Sequence, residues 1–139
     1  LGHPVEVISG REEARLIYAG VSFLQPGPAE RLVIDIGGRS TEMILGQGRQ
    51  ARVVESFRVG SVSLSMRWFP DGVFTEQRFR DAQVAAGAEL EEALTLFAPH
   101  HWQEALGSSG TAGAVSQILQ ATGLTDVTIT PEGLRWCIA

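Results

Sequence analysis

The feature that most constrains the fold is a run of three strand-like segments separated by glycine turns. The pattern predicts strands over residues 31–36 and 41–45 around Gly37-Gly38, and a third over residues 51–58 after the turn 46–48. Strands joined by such short turns pair as antiparallel neighbours. The sequence therefore predicts a three-stranded antiparallel meander.

Helix and strand signals surround this meander. A strand is predicted over residues 5–8, and Ser9 to Glu12 forms a capping box that opens a helix through Val21. Further helices are predicted from Gly60 to about residue 69, as one long helix over residues 75–97, and after a short strand over residues 104–106. This order predicts an α/β fold with helices packed on a mixed sheet.

Composition excludes several classes of protein. The chain has 139 residues, 44% of them hydrophobic and 19% charged, which is typical of one globular domain. Its net charge of -5 argues against nucleic-acid binding, and its single cysteine, Cys137, excludes an internal disulfide. No apolar run is long enough to span a bilayer and no secretory pattern opens the chain, so we expect a cytoplasmic protein.

The first candidate site is the segment from Asp35 to Glu42. A two-residue loop places Asp35 opposite Ser40 with Glu42 diagonal, whereas a four-residue loop places Asp35 directly opposite Glu42. In either register the two carboxylates share a face, and a cation such as Mg²⁺ would relieve their repulsion. Gly37 and Gly38 allow positive φ angles and a close approach of backbone amides to a ligand. The alternative is an exposed hairpin with ordinary polar flanks.

The second candidate is the glycine- and serine-rich segment over residues 107–111, between a strand and a helix. Small residues there let the helix N-terminus present free amides to an anion. Alternatively, Ser109 or Thr111 simply caps the helix.

The third candidate lies in the first turn of the first predicted helix. Glu12 is explained by the capping box and by a pair with Arg15. Glu13 has no such local role, so it either stabilises the helix dipole or serves as a general base for an attacking water.

These segments together resemble the exopolyphosphatase and guanosine pentaphosphate phosphatase family, which has a ribonuclease H-like, actin-like ATPase fold. The run from Val5 to Ile17 resembles one family block, residues 33–42 resemble its second phosphate loop, and residues 107–111 its later serine-glycine-threonine loop. Gly60, Phe69-Pro70 and Thr130-Pro131 also fit. The resemblance covers nearly the whole chain.

The resemblance implies roles for particular residues. Glu13 matches the catalytic glutamate, and Asp35 and Glu42 match the acidic residues around Mg²⁺. The phosphate-binding positions are those of the two loops: Gly37, Gly38, Arg39, Ser40, Gly107, Ser109, Gly110 and Thr111. The implied reaction is hydrolytic release of the terminal phosphate from polyphosphate or, in the sister branch, from guanosine pentaphosphate.

Two departures from the family pattern stand out. Arg39 replaces a usual third glycine, so its Cβ either alters the turn or requires a permissive backbone angle, and its guanidinium is a candidate clamp for the substrate. The family's N-terminal phosphate loop is also absent. We therefore expect residues 1–22 to be the end of the first actin-like lobe with its crossover helix, and residues 23–139 to be most of the second lobe. Thr130-Pro131 starts a helix that we expect to continue in a longer protein, which the resemblance implies is a homodimer.

Three functional hypotheses follow. The first is a phosphohydrolase whose isolated piece is inactive, acting on polyphosphate or guanosine pentaphosphate. The second is a non-catalytic module that binds phosphate or nucleotide. The third is an assembly-forming actin relative, against which the Glu12-Glu13 pair argues, since assembly gives no reason for Glu13.

Overall fold

The structure is a computed structural model that describes residues 2–139. Its strands are β1 (Glu30–Ile36), β2 (Thr41–Gln47), β3 (Gln50–Phe57) and β4 (Glu104–Ser108). Its helices are α1 (Gly10–Leu24), α2 (Ser61–Trp68), α3 (Glu76–Glu89), α4 (Ala93–Leu96), α5 (Ser109–Ala121) and α6 (Pro131–Ile138), with a 3₁₀ turn over Pro99–His101.

The four strands form one mixed sheet in the order β3-β2-β1-β4. β1, β2 and β3 are the predicted antiparallel meander, and β4 pairs with β1 in parallel. Ile36 pairs with Thr41, so the first hairpin has the four-residue loop over residues 37–40. Because β1 and β4 are parallel, their carboxyl ends meet at the same edge of the sheet.

Each face of the sheet has its own apolar cluster. On one face, Val33 and Ile44 pack with Ala14 and Tyr18 of α1. On the other, Leu32, Leu45 and Phe57 are in the cluster that contains Ala93 and Phe97, from the α4 region. The alternation along β1 therefore buries both faces, as the apolar strand pattern requires.

Helix α1 is fixed at its N-terminus and near its middle. Its N-cap is Ser9, whose hydroxyl accepts a 3.3 Å hydrogen bond from the Glu12 amide. Further along, the Tyr18 hydroxyl donates to the Gly48 carbonyl at 3.1 Å, which ties the helix to the β2–β3 turn. Only half of the predicted capping box forms, because the Glu12 carboxylate accepts from Arg15 instead.

The predicted strand over residues 5–8 is wrong. Val5 and Val7 are almost fully exposed, and no strand among residues 2–139 pairs with this segment. A short strand is stable only where a neighbour accepts its backbone hydrogen bonds.

The predicted long helix over residues 75–97 is also wrong, although its predicted start is confirmed, since Thr75 is the N-cap of α3. The helix ends at Glu89, and a turn redirects the chain so that Ala93 and Phe97 reach the sheet. Phe79 lies outside the core in an aromatic cluster, with its ring centroid 4.7 Å from that of Phe69. Apolar spacing alone does not distinguish these two environments.

The last two helices pack on each other. α5 is followed by Gly123, whose left-handed φ of +72° ends the helix, and the Thr130 hydroxyl caps α6 by accepting from the Gly133 amide. Gly133 packs against the buried Leu119, where an added Cβ would lie 2.9 Å from a Leu119 methyl. None of the helices in residues 2–139 has the length and apolar character needed to cross a membrane.

Candidate active site

A row of polar side chains crosses the sheet on the face that α1 covers. The register places Ser56, Glu42, Asp35 and Ser108 side by side, one from each of the four strands. The row lies immediately beyond the apolar residues that pack against α1 on the same face. Such a polar row at the end of a core is the natural place for a ligand site.

The two carboxylates of this row are directly opposite each other and almost buried. Glu42 is 2% exposed and Asp35 is 9% exposed. Glu42 Oε1 accepts a 2.7 Å hydrogen bond from the Ser56 hydroxyl, whereas no such bond within residues 2–139 reaches the Asp35 carboxylate. A buried carboxylate normally has a partner, so this pair fits a cation, to which Asp35 and Glu42 would both contribute oxygens.

These two carboxylates are not joined by a third metal-ligating residue. Residues 2–139 contain no group of three or more His, Cys, Asp or Glu side chains arranged to hold a metal. Mg²⁺ is commonly bound through one or two carboxylates, with water and phosphate oxygens completing its shell. The donor set therefore matches a cation that also contacts phosphate.

The loop over residues 37–40 is anchored to the N-terminus of α2. The Ser61 amide donates to the Gly37 carbonyl at 3.0 Å and the Ser63 amide donates to the Gly38 carbonyl at 2.9 Å. In a trans peptide the N–H is opposite the carbonyl, so the amides of Gly38 and Arg39 are directed away from these α2 donors. The loop therefore has two backbone donors, the amides of Gly38 and Arg39, that are available to an anion, whereas the Gly37 amide donates to the Ser40 carbonyl.

The way in which the glycines serve this loop differs from the prediction. Neither Gly37 nor Gly38 has a positive φ, and Arg39 does not have one either. The requirement is instead for close approach, because a Cβ on Gly38 would lie 3.2 Å from Val62. Arg39 therefore keeps an ordinary backbone conformation, with its side chain exposed. Ser40 lies within the loop, where strand alternation no longer fixes the direction of its side chain.

The second predicted loop is not a loop. Gly107 and Ser108 belong to β4, while Ser109, Gly110 and Thr111 form the first turn of α5. Ser109 is in the left-handed region, with φ 63°, and its hydroxyl donates to the Ile36 carbonyl at 3.3 Å. Neither Ser109 nor Thr111 caps the helix, and the N-cap Ser108 makes no side-chain cap bond. The first amides of α5 therefore lie beside the first loop without a side-chain cap.

Glu13 lies in the first turn of α1, whose start abuts the polar row. A Cβ on Gly10 would collide with the Ser56 side chain and would lie 3.9 Å from Glu42 Oε1. The neighbouring charges are paired, Arg11 with Glu55 and Arg15 with Glu12. Glu13 is exposed, and its carboxylate has no ion pair or hydrogen bond within residues 2–139.

Sequence reasoning missed Ser56 and Ser108 as members of the polar row. It placed Gly60 at the start of a helix, which is confirmed because Gly60 is the N-cap of α2, but it did not predict that Gly60 contacts the loop. A Cβ on Gly60 would lie 2.5 Å from the Arg39 nitrogen, so the backbone of the loop packs directly against this glycine. The position of Gly60, between the end of β3 and the start of α2, was the sequence signal that could have indicated this close contact. Strand pairing would have identified Ser56 only with knowledge of a bulge between Leu45 and Gly46.

Comparison with known proteins identifies the family of this chain. The sequence model of the Ppx/GppA phosphatase family matches residues 1–139. The fold is also similar to that of an exopolyphosphatase-like protein, with a TM-score of 0.76 and 27% identity over 84% of this chain and 38% of that one.

Two further solved structures agree. The PPX-GPPA enzyme of Aquifex aeolicus matches at 28% identity and a TM-score of 0.71, over 90% of this chain and 40% of that one. An exopolyphosphatase from Cytophaga hutchinsonii matches at 27% identity and a TM-score of 0.70, over 92% and 41%. The chain therefore spans about two fifths of the length of these relatives and has their actin-like α/β fold. From the match over its whole length, the chain belongs to the Ppx/GppA phosphatase family.

Proposed function

We propose that this chain carries part of the active site of a phosphohydrolase that releases the terminal phosphate from inorganic polyphosphate. The observation that carries the proposal is the buried pair Asp35 and Glu42, opposite each other and beside two backbone segments with free amides. One of the similar solved structures is that of an exopolyphosphatase, and we therefore propose polyphosphate rather than guanosine pentaphosphate as the substrate.

The proposed site binds the terminal phosphate between two backbone segments. Amides of Gly38 and Arg39 donate from one side, and the first amides of α5 donate from the other. The Ser109 bond to Ile36 sets the separation of these segments. A divalent cation held by Asp35 and Glu42 would neutralise phosphate charge and stabilise the charge that develops on transfer.

The proposed general base is Glu13. Its carboxylate would accept a proton from water as the water oxygen bonds to the terminal phosphorus and the bond from phosphorus to the bridging oxygen breaks. The products are orthophosphate and a polyphosphate shorter by one unit. Glu13 suits this role because it is the charged residue of its helical turn that no neighbouring side chain in residues 2–139 engages.

The test compares Glu13→Gln with Glu12→Gln in the natural protein that contains this sequence. Glu12 is the matched control, since it is adjacent and exposed but paired with Arg15. A general base contributes about 10²–10⁴ in rate, so Glu13→Gln should lose phosphate release by that factor and Glu12→Gln should keep it. Equal activity of the two variants would exclude Glu13 as the base.

The substrate is tested on the unmodified protein with Mg²⁺ present. Phosphate release from polyphosphate, with none or far less from guanosine pentaphosphate, supports the proposal. The reverse preference would assign the sister reaction, and binding of either compound without release would assign a non-catalytic module.

A further inference from the structure

One ion pair ties the first turn of α1 to the edge of the sheet. The guanidinium of Arg11 donates to both carboxylate oxygens of Glu55, through Nε at 3.2 Å and through Nη2 at 2.9 and 3.1 Å. β3 is an edge strand, and Glu55 pairs there with Met43, whose side chain packs on the face opposite α1. Because paired residues of neighbouring strands share a face, Arg11 reaches around the edge of β3 to bond Glu55.

This ion pair holds one flank of α1, and helix geometry places Glu13 on the other flank. Gly10 packs directly against β3 and Ala14 is fully buried, so these two residues face the sheet. Measured around the helix from Gly10, Arg11 is about 100° away in one direction and Glu13 is about 60° away in the other. Since Arg11 lies on the side of the β3 edge, Glu13 lies on the side of β2 and β1, where the two site carboxylates face each other.

A second bond holds the same flank of α1 further along the helix. The Tyr18 hydroxyl donates to the Gly48 carbonyl, about two turns beyond Arg11. Without the bonds from Arg11 to Glu55, the middle of α1 would therefore stay attached to the sheet. The first turn would lose its side-chain tie to β3, and helix ends are the parts that fray. The ion pair thus acts on the turn that carries Glu13.

We propose that Arg11 is a positioning residue for Glu13, because its bonds to Glu55 fix the first turn of α1 beside the proposed phosphate site. An exposed ion pair contributes little to stability, but paired hydrogen bonds from a planar guanidinium fix a direction as well as a distance. A general base must lie within hydrogen-bonding distance of its water, and a displacement of about 1 Å can cost about 10²-fold in rate. The inference rests on the proposed function for the role of Glu13.

The test measures kcat and KM for phosphate release by the natural protein that contains this sequence. The variants are Arg11→Gln and Glu55→Gln, singly and together. Each single variant should lower kcat by about 10- to 100-fold with little change in KM, because the ion pair positions the base and does not bind the substrate. The double variant should lose no more than either single variant, since all three remove the same interaction. Arg11→Lys keeps the charge without the planar donor geometry and should restore only part of kcat.

Arg15→Gln is the matched control. Arg15 is exposed on the same helix and is also ion-paired, but its partner is Glu12 within the helix and not a residue of the sheet. This variant should therefore keep the kcat of the unmodified protein. Thermal melting of every variant checks that the fold is intact.

The Glu13→Gln background provides a measurement that a merely structural role would not change. If Arg11 acts through Glu13, adding Arg11→Gln to Glu13→Gln should cause no further loss of kcat. An arginine that acted through stability or through substrate binding would instead cause the same loss in both backgrounds.

The outcomes distinguish the positioning role from the proposed function. If Glu13→Gln loses phosphate release while Arg11→Gln keeps it, the positioning role is wrong and the proposed function is retained. An equal loss in Arg15→Gln, or an undiminished further loss in the Glu13→Gln background, would also overturn the positioning role. If Glu13→Gln keeps full activity, the proposed general base is wrong and the positioning role is wrong with it.

Discussion

The Ser56 hydroxyl donates a 2.7 Å hydrogen bond to Oε1 of the buried Glu42 carboxylate. Ser56 comes from β3, an edge strand of the sheet, and α1 begins directly against it because Gly10 has no side chain. Ser56 therefore contacts both the start of α1, the helix that carries Glu13, and the Glu42 carboxylate. The bond engages one oxygen of Glu42, and no hydrogen bond within residues 2–139 engages the other.

We predict that Ser56→Ala weakens cation binding while the fold survives. Removing the donor leaves a buried carboxylate oxygen unsatisfied, which costs about 1–3 kcal/mol. The affinity for Mn²⁺, followed by electron paramagnetic resonance, should fall, and the midpoint of urea unfolding should also fall. Unchanged Mn²⁺ affinity in the folded variant would show that the hydroxyl does not position Glu42 for a cation.

We predict that Gly60→Ala displaces the loop over residues 37–40. The new Cβ would lie 2.5 Å from the Gly38 carbonyl carbon and 2.7 Å from the Gly37 oxygen, so backbone must move. The matched control is Gly87→Ala in α3, where the added methyl meets open space. In a helix interior alanine is favoured over glycine by about 0.5–1 kcal/mol, so the control should be at least as stable as the unmodified protein. Gly60→Ala should lose both stability and phosphate binding, and a neutral result would contradict the close packing.

Much of this site was predictable because the strand pattern determines register near a tight turn. The facing of Asp35 and Glu42 was one of two registers that the pattern allowed, and the structure selects the four-residue loop. The contact of Glu42 with Ser56 was not predictable. Counted back from the Gln47–Gln50 pair without a bulge, Glu42 would face Glu55 instead. The bulge between Leu45 and Gly46 changes that register, and no residue of the β2–β3 turn predicts the bulge.

The second segment was misjudged for a different reason. Glycine and serine at residues 107–111 are typical of loops, yet the backbone passes from β4 to α5 without a loop. The change of direction is concentrated at Ser109 with its left-handed φ. Such a conformation is determined by tertiary contacts, here the bond to Ile36, and not by local propensity.

We predict that the Asp71 carboxyl titrates far below its usual range. Hydrogen bonds from Arg78 are the largest cause, and together with the Val73 amide they lower the pKa of Asp71 to about 2. Because the folded pKa is depressed, any stabilisation by the ionised carboxylate is present above about pH 4 and is lost as the pH falls toward 2. A carbon-13 titration of the side-chain carboxyl should give this value and should return it toward the ordinary range in Arg78→Gln. A normal pKa in the unmodified protein would show that the pair does not form in solution.

We predict that Ser109→Ala and Ser109→Gly differ in stability but both lose activity. Alanine keeps the strained φ of 63° and loses the hydroxyl bond to Ile36, which should cost about 0.5–1.5 kcal/mol. Glycine loses the same bond but relieves about 1–2 kcal/mol of left-handed strain, so its stability should be close to that of the unmodified protein. Both lose the bond that ties the start of α5 to the end of β1, beside the proposed phosphate site, so phosphate release should fall in both. A fully active Ser109→Gly protein would show that the site requires the left-handed backbone conformation and not the hydroxyl.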